Sequence, residues 1–397
     1  MRYTTPAFYR EFKCIGGACE DSCCDYWEID LDDESLKFYM AQKGEFGKRM
    51  KACTRVKDKQ FILNGNRCPF HNDDDLCDIY IELGEEALCQ TCTNFPRHIE
   101  EFDDLKEVSL TMSCPEASRI MLAKKDRMNF ICREGSDREY GLKELKPVSR
   151  FAFWKRGHEN KLDAKLFPVL ENAREDIYRI LQDRSKNVFK RAAELLLYAE
   201  ILQSRIDLCA VAKGFDIDAS KLDMSDYNAG ALADKAFTSD VDDLMSQMLN
   251  MYEGLENIKP EWKEYLSCGE KHLKSDSVTK DIKAFYDYYS DREYEFEHIL
   301  VYYIFNYFLG ASYDYDILTK VKFAVISFMV IFELDTARWV MQDRSFSFED
   351  QVIIAHAYSK EVEHSYNNYE ALQLVLSAHP VLTTDNIIAV LNKYYGC

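Results

Sequence analysis

Long apolar runs are missing from this chain. The two longest, residues 299–309 with Asn306 inside and residues 323–332, fall short of the roughly 20 apolar residues that cross a bilayer, so no membrane partner is expected. The opening residues MRYTTPAFYREFK lack the apolar core of a signal peptide, and a cytoplasmic location is expected. A basic stripe is missing too. The formal charge of −19 argues against a surface that tracks phosphates, and hence against a nucleic-acid partner. No G-x-G-x-x-G turn is present to seat a dinucleotide-like cofactor; the glycine pair of the cysteine-rich stretch, Gly16-Gly17, lies inside a thiol loop. Neither an internal repeat nor a low-complexity tract interrupts the chain.

Sulfur, by contrast, is concentrated in one place. Eleven of the fourteen cysteines fall between Cys14 and Cys132, and four of them lie in residues 14–24, CIGGACEDSCC. A composition step of that size marks a domain, and in a cytosolic chain it predicts reduced thiols and metal ligands rather than disulfides. The chain as a whole, 397 residues at 47% hydrophobic and 13% aromatic, can bury a substantial core and suits two or three domains. Its negative charge favours solubility and would suit a basic partner, such as a lysine-bearing protein surface.

Trp27, Ile29 and Leu31 alternate as a short buried strand does, and Asp32 or Asp33 is placed to cap a helix through Leu36, Tyr39 and Met40. Phe61, Ile62 and Leu63 run into the tight-turn dipeptide Asn64-Gly65, so Cys68-Pro69-Phe70 leaves a small hairpin, and residues 72–75 turn again. Cys77 opens the helical DIYIEL, stopped by Gly84. A short helix from Glu85 then carries Cys89 and Cys92, whose C-x2-C spacing lets two thiols converge on one ion. A hairpin of residues 98–102 and 105–112 turns at Asp103-Asp104. Ser113 to Glu116 reads as a capping box that holds Cys114 at a helix N-terminus, where a thiolate is favoured.

From about residue 135 apolar residues recur at the helical period, as in Leu170, Ala173, Ile177, Ile180 and Leu181, then Ala192, Leu195, Leu196 and Ala199. Further helices are expected at 244–252, 296–309, 318–332 and 387–394, with a loop near 214–232. The fold expected is mostly α: a small irregular cysteine-rich α+β metal-binding domain over residues 1–135, followed by an all-helical domain over 136–397.

Four thiolates satisfy zinc and an iron–sulfur cluster alike, so a cysteine-only ligand set does not name the metal. Cys19 and Cys23 have the first interval of a radical S-adenosylmethionine loop, C-x3-C-x2-C, but Tyr26 occupies its third position. Cys23 and Cys24 are adjacent, and neighbouring side chains of an extended segment point apart. Without a tight local turn this favours Cys23 as ligand and leaves Cys24 in reserve. His71 and His98 flank the thiols and could replace a cysteine at zinc, while Trp27 and Phe95 read as core around the centre.

In order and spacing, the set CIGGACEDSCCDYW, CPF, LCDIY, LCQTCTNFPR and SCPEAS resembles the flagellin lysine-N-methylase family, whose cysteine-rich core is similar to small zinc- or iron-chelating proteins. The resemblance covers about residues 8–120 and continues more loosely into FAFWK, ILQDR and YEFEHILVYYIFNYFL. It implies a protein lysine N-methyltransferase that moves methyl groups from S-adenosylmethionine to lysines of flagellin or another lysine-bearing protein. It also implies a [4Fe-4S] cluster, with Zn2+ as the alternative metal. Carried over by motif, the ligands are four of Cys19, Cys23, Cys24, Cys68, Cys77 and Cys92.

Arg97, in NFPR, could hold a carboxylate such as that of the cofactor's methionine part, or pair with a local acid. No catalytic base is singled out. Tyr26, Asp30, Tyr80 and Glu116 all stand beside cysteines in sequence, but 69 acidic residues and 25 tyrosines guarantee such neighbours. The alternative function is a non-catalytic, zinc-stapled binding or adaptor module. The sequence does not set the oligomeric state.

Overall fold

A computed structural model describes residues 1–143, 161–213, 217–224, 227 and 243–395. FAFWK and most of the expected loop near 214–232 lie outside the described residues. The chain divides into two compact units, one of Met1–Ile120 with Asn129–Glu159, the other of Met121–Met128 with Asn160–Cys397. The architecture is mostly helical, with a small sheet region near the N-terminus.

Up to residue 134 the chain forms β1 (Arg2–Pro6), α1 (Asp33–Ala41), α2 (Gly44–Ala52), β2 (Thr54–Arg55), β3 (Gln60–Phe61), α3 (Asp78–Leu83), α4 (Gln90–Asn94), β4 (Arg97–Phe102), β5 (Leu105–Leu110), α5 (Pro115–Leu122) and β6 (Phe130–Glu134). The β4–β5 hairpin turns at Asp103-Asp104 with Phe102 paired to Leu105, and Asp103 takes the left-handed conformation that a short polar side chain tolerates. The local pattern did not disclose its neighbours: β1 lies parallel to β5 and β6 antiparallel to β1, in the order β4-β5-β1-β6.

The segment at Trp27–Leu31 differs from the expected strand. Ile29 and Leu31 are buried as their alternation requires, but the backbone pairs only locally, through Leu31 N to Lys59 O at 2.7 Å and Phe61 N to Ile29 O at 3.2 Å. Asp32 then caps α1, accepting from Ser35 N at 2.8 Å.

The second unit contains α6 (Leu166–Leu181), α7 (Val188–Lys213), α8 (Leu244–Glu253), α9 (Pro260–Leu273), α10 (Val278–Tyr289), α11 (Tyr294–Tyr307), α12 (Ala311–Asp314), α13 (Ile317–Met341), α14 (Phe348–Glu363), α15 (Tyr366–Ala378) and α16 (Thr384–Tyr395). At its centre α13 is buried on all sides, packed against α7, α9, α11, α14 and α15. No described helix is long and apolar enough to cross a membrane.

The core of this unit also buries carboxylates. Glu363 accepts from Tyr302 and Tyr307 at 2.8 and 2.6 Å, and Glu361 accepts from the amides of Ile258 and Lys259 at 2.7 and 2.6 Å. Burial pushes the Glu361 carboxyl up to about 7, against the downward pull of those two amides. Its folded value lies above the unfolded value of about 4.3, so the folded state binds more protons between the two and stability falls as pH rises through that window. Glu361→Gln should flatten this part of the profile, giving a smaller drop in melting temperature from about pH 5 to about pH 7 than the wild type. Equal drops would acquit Glu361.

Candidate metal centre

The apolar centre of the first unit is built from Ile29, Leu31, Tyr39, Phe61 and Phe70 together with the buried Cys68 and Cys89; Cys24, Cys77 and Cys92 pack against it. Separate segments of the chain bring these sulfurs in. The carbonyl of Cys24 accepts from Cys68 N at 2.8 Å, Cys77 is the N-cap residue of α3, and Cys89 is the N-cap residue of α4. None of the described cysteines is in a disulfide.

Asp32 sets the position of the last pair. One carboxylate oxygen caps α1 and the other accepts from Gln90 N at 2.9 Å, so a single side chain ties the start of α4, and with it Cys89 and Cys92, to α1. Burial raises the Asp32 pKa, but the Gln90 and Ser35 amides outweigh it and hold the carboxyl below its usual range. Each lost cap costs about 1 kcal/mol, so Asp32→Ala should destabilise the protein to urea by about 2 kcal/mol and Asp32→Asn by roughly half that. An alanine variant as stable as the wild type would remove this role.

Two sets of thiols interact, Cys23 with Cys24 and Cys68 with Cys24 in one, Cys89 with Cys92 in the other. Hydrogen bonds from Cys23 and Cys68 hold the Cys24 thiol well below its ordinary value, while Cys68 and Cys23, as donors, are pushed up. A hydrogen bond from Cys92 likewise lowers Cys89, and Cys92 rises. In each group one sulfur is thus shifted towards the thiolate, the form that binds metal. Among the described residues, no group of three or more His, Cys, Asp or Glu side chains is arranged to hold an ion as it stands. The donor set itself fits a thiolate-ligated zinc or iron–sulfur centre in its chemistry: six sulfurs at one core, Cys53 among them, and two of the six shifted towards the thiolate.

Adjacency does not point Cys23 and Cys24 apart. The backbone turns at these residues, Tyr26 takes a φ of +72°, and both thiols meet on one side, with Cys24 rather than Cys23 at the junction. Cys77 lies in the field of Cys24 and Cys68, whereas Cys19 groups with Cys14 and Cys114 and donates to Asp21 O at 3.3 Å. Cys89, the first thiol of the C-x2-C pair and not among the six carried over by motif, is buried at the same core. Cys114 corrects an expectation: burial pushes its thiol up to about 12, beyond what the amides of Ala117 and Glu116 pull down, so it stays protonated at the helix start.

Arg97 has partners within the first unit. Its Nε donates to Tyr9 Oη at 3.0 Å and Tyr140 O at 3.2 Å, and its Nη1 to Thr93 O at 3.2 Å. Of the candidate bases, Asp30 accepts from Gln60 at 2.9 Å, Glu116 pairs with Arg119 at 2.8 Å, and Tyr80 is half exposed. His98 lies on β4, 3.6 Å from Glu100. Trp27 and Phe95 meet edge to face at 4.9 Å beside the thiols, as core residues do.

Residues 174–390 match the family described as FliB lysine N-methylase C-terminal domain. The chain belongs to this family. Among relatives of the lysine N-methylase family, Flagellar biosynthetic protein FliU of Salmonella muenchen is 33% identical over 139 residues, covering 32% of this chain and 79% of its own. Lysine-N-methylase of Salmonella typhimurium (strain LT2) and that of Salmonella choleraesuis (strain SC-B67) are each 33% identical over 139 residues. Those matches cover 32% of this chain and 33% of each relative, so the chain spans about a third of the length of either. No solved structure matches this chain.

Proposed function

We propose that this protein is a protein lysine N-methyltransferase acting on flagellin or another lysine-bearing protein, with S-adenosylmethionine as methyl donor and a metal centre, a [4Fe-4S] cluster, in its cysteine-rich unit. Membership of the lysine N-methylase family carries the reading. The thiols gathered on one core support the metal, and a net charge of −19 suits a substrate surface that presents lysines.

A neutral lysine amine is already a competent nucleophile for a sulfonium methyl. Its lone pair forms the N–C bond as the C–S bond breaks, the sulfur leaves as a thioether, and the new ammonium loses a proton. The chain must therefore align the two reactants and accept one proton. In the cysteine-rich unit, Cys24, Cys68 and Cys77, with Cys23 or Cys92, would hold the cluster, and Asp32 keeps the Cys89–Cys92 loop in place. When bound, the cluster supplies an electron-transfer-capable centre that also ties the loops together.

The test is incubation of the protein, purified without oxygen, with S-adenosylmethionine and flagellin, followed by mass spectrometry of the flagellin lysines. Methylated lysines are expected only when all three are present. Absence of methylation by a metal-loaded protein, together with one colourless zinc per chain, would replace this reading with the zinc-stapled binding module.

A further inference from the structure

His71 stands out as a buried polar side chain with work left undone. Its imidazole is 2% exposed, its Nδ1 lies 3.2 Å from Asp25 Oδ1, and its Nε2, also buried, has no hydrogen-bond partner. Asp75 Oδ1 lies 3.6 Å from Nε2, beyond hydrogen-bond length; that carboxylate is largely exposed and is bound to Arg67 at 2.5 Å. A buried polar nitrogen without a partner is destabilising, which calls for an explanation at this position.

The backbone puts the same ring among the thiols. His71 follows Cys68 at a C-x2-H interval, and its amide donates to Cys68 O at 3.0 Å. His71 and Cys77 form an isolated antiparallel bridge, Cys68 N donates to Cys24 O at 2.8 Å, and Asp25 is the next residue after Cys24. Cys24, Cys68, His71 and Cys77 are thus held together by main-chain contacts. With Nδ1–H donating to Asp25, Nε2 carries the lone pair. This is the arrangement in which a carboxylate fixes the tautomer of a metal-binding histidine.

We propose that His71 is a ligand of the metal centre, presenting Nε2 beside the thiolates of Cys24, Cys68 and Cys77, with Asp25 as the residue that orients its ring. The centre then has mixed sulfur and nitrogen ligation instead of four sulfurs. This rests on the reading above only for the presence of a metal.

The experiment uses the full chain purified without oxygen, as wild type, His71→Ala, His71→Cys and Asp25→Asn. Iron and zinc per chain are measured first. An iron form is reduced and its nitrogen couplings read by pulsed electron paramagnetic resonance; a zinc form is exchanged for cobalt(II) and its visible bands recorded. The expected result is a directly bound nitrogen in the wild type that disappears in His71→Cys while metal content is retained. Metal content should drop at least several-fold in His71→Ala and less in Asp25→Asn. A metal-loaded wild type with sulfur ligands only, or a His71→Ala variant with unchanged metal and spectrum, overturns the assignment and leaves the metal centre standing. A wild type that holds neither iron nor zinc overturns both.

Discussion

Cys24→Ala is expected to yield a protein without its metal and with an unfolded or loosened cysteine-rich unit, whereas Cys19→Ala keeps both. The thiol of Cys24 is the junction of its group, in hydrogen-bond reach of Cys23 and Cys68 and in the field of Cys77, and its carbonyl also anchors the Cys68 backbone. Cys19 groups instead with Cys14 and Cys114. Binding energy at a thiolate site is folding energy. Apparent values for small zinc domains reach on the order of 10 kcal/mol, more than a unit of this size has to spare. Metal analysis and chelator titration followed by circular dichroism check the pair. Equal metal loss in the two variants would dissolve the distinction between the two groups, and full metal in Cys24→Ala would remove Cys24 from the centre.

Glu297→Ala should destabilise the protein by about 3–5 kcal/mol, the range found when one partner of a buried ion pair is removed. Glu297 is fully buried on α11, between Arg191 Nη1 at 2.6 Å and Arg184 Nη2 at 2.8 Å. Arg191 is itself 1% exposed; it keeps Glu293 and the carbonyl of Leu181 but loses its buried countercharge, while Arg184 lies nearer the surface. Arg184→Ala should therefore cost less than Arg191→Ala, since its side chain is already partly hydrated. Urea unfolding of the three variants settles the order. A loss below about 1 kcal/mol in Glu297→Ala would mean that water reaches Arg191.

Much of the fold was legible because local physics governs it. Period and caps placed α8, α11 and α16 close to where they lie; Asp32 opened its helix with a side-chain oxygen, and Gly84 closed its own with a positive φ. The Asp103-Asp104 turn fixed the β4–β5 register. Helix α13 ran nine residues past its expected end because Glu333 and Asp335 break the apolar run in sequence but are buried in space, Glu333 beside His272. The β1 and β6 partners could not be read, since their pairing joins residues over a hundred positions apart.

For the site, the sequence by itself determined the supply of donors. Thiol density, the C-x2-C spacing and the order of the motifs all follow from residue identity, and they set what this unit can offer, namely soft sulfur donors. Only the tertiary structure decided which donors meet. Cys23 and Cys24 meet at a turn instead of alternating along a strand, Cys19 falls with Cys14 and Cys114, and Arg97 donates to Tyr9 and two carbonyls. His71 came to the thiols through a bridge to Cys77 and the carboxylate of Asp25, 46 positions away. Spacing along a chain limits what neighbours can share, but convergence of distant loops depends on the core they bury together, and that core exists only once the chain has folded.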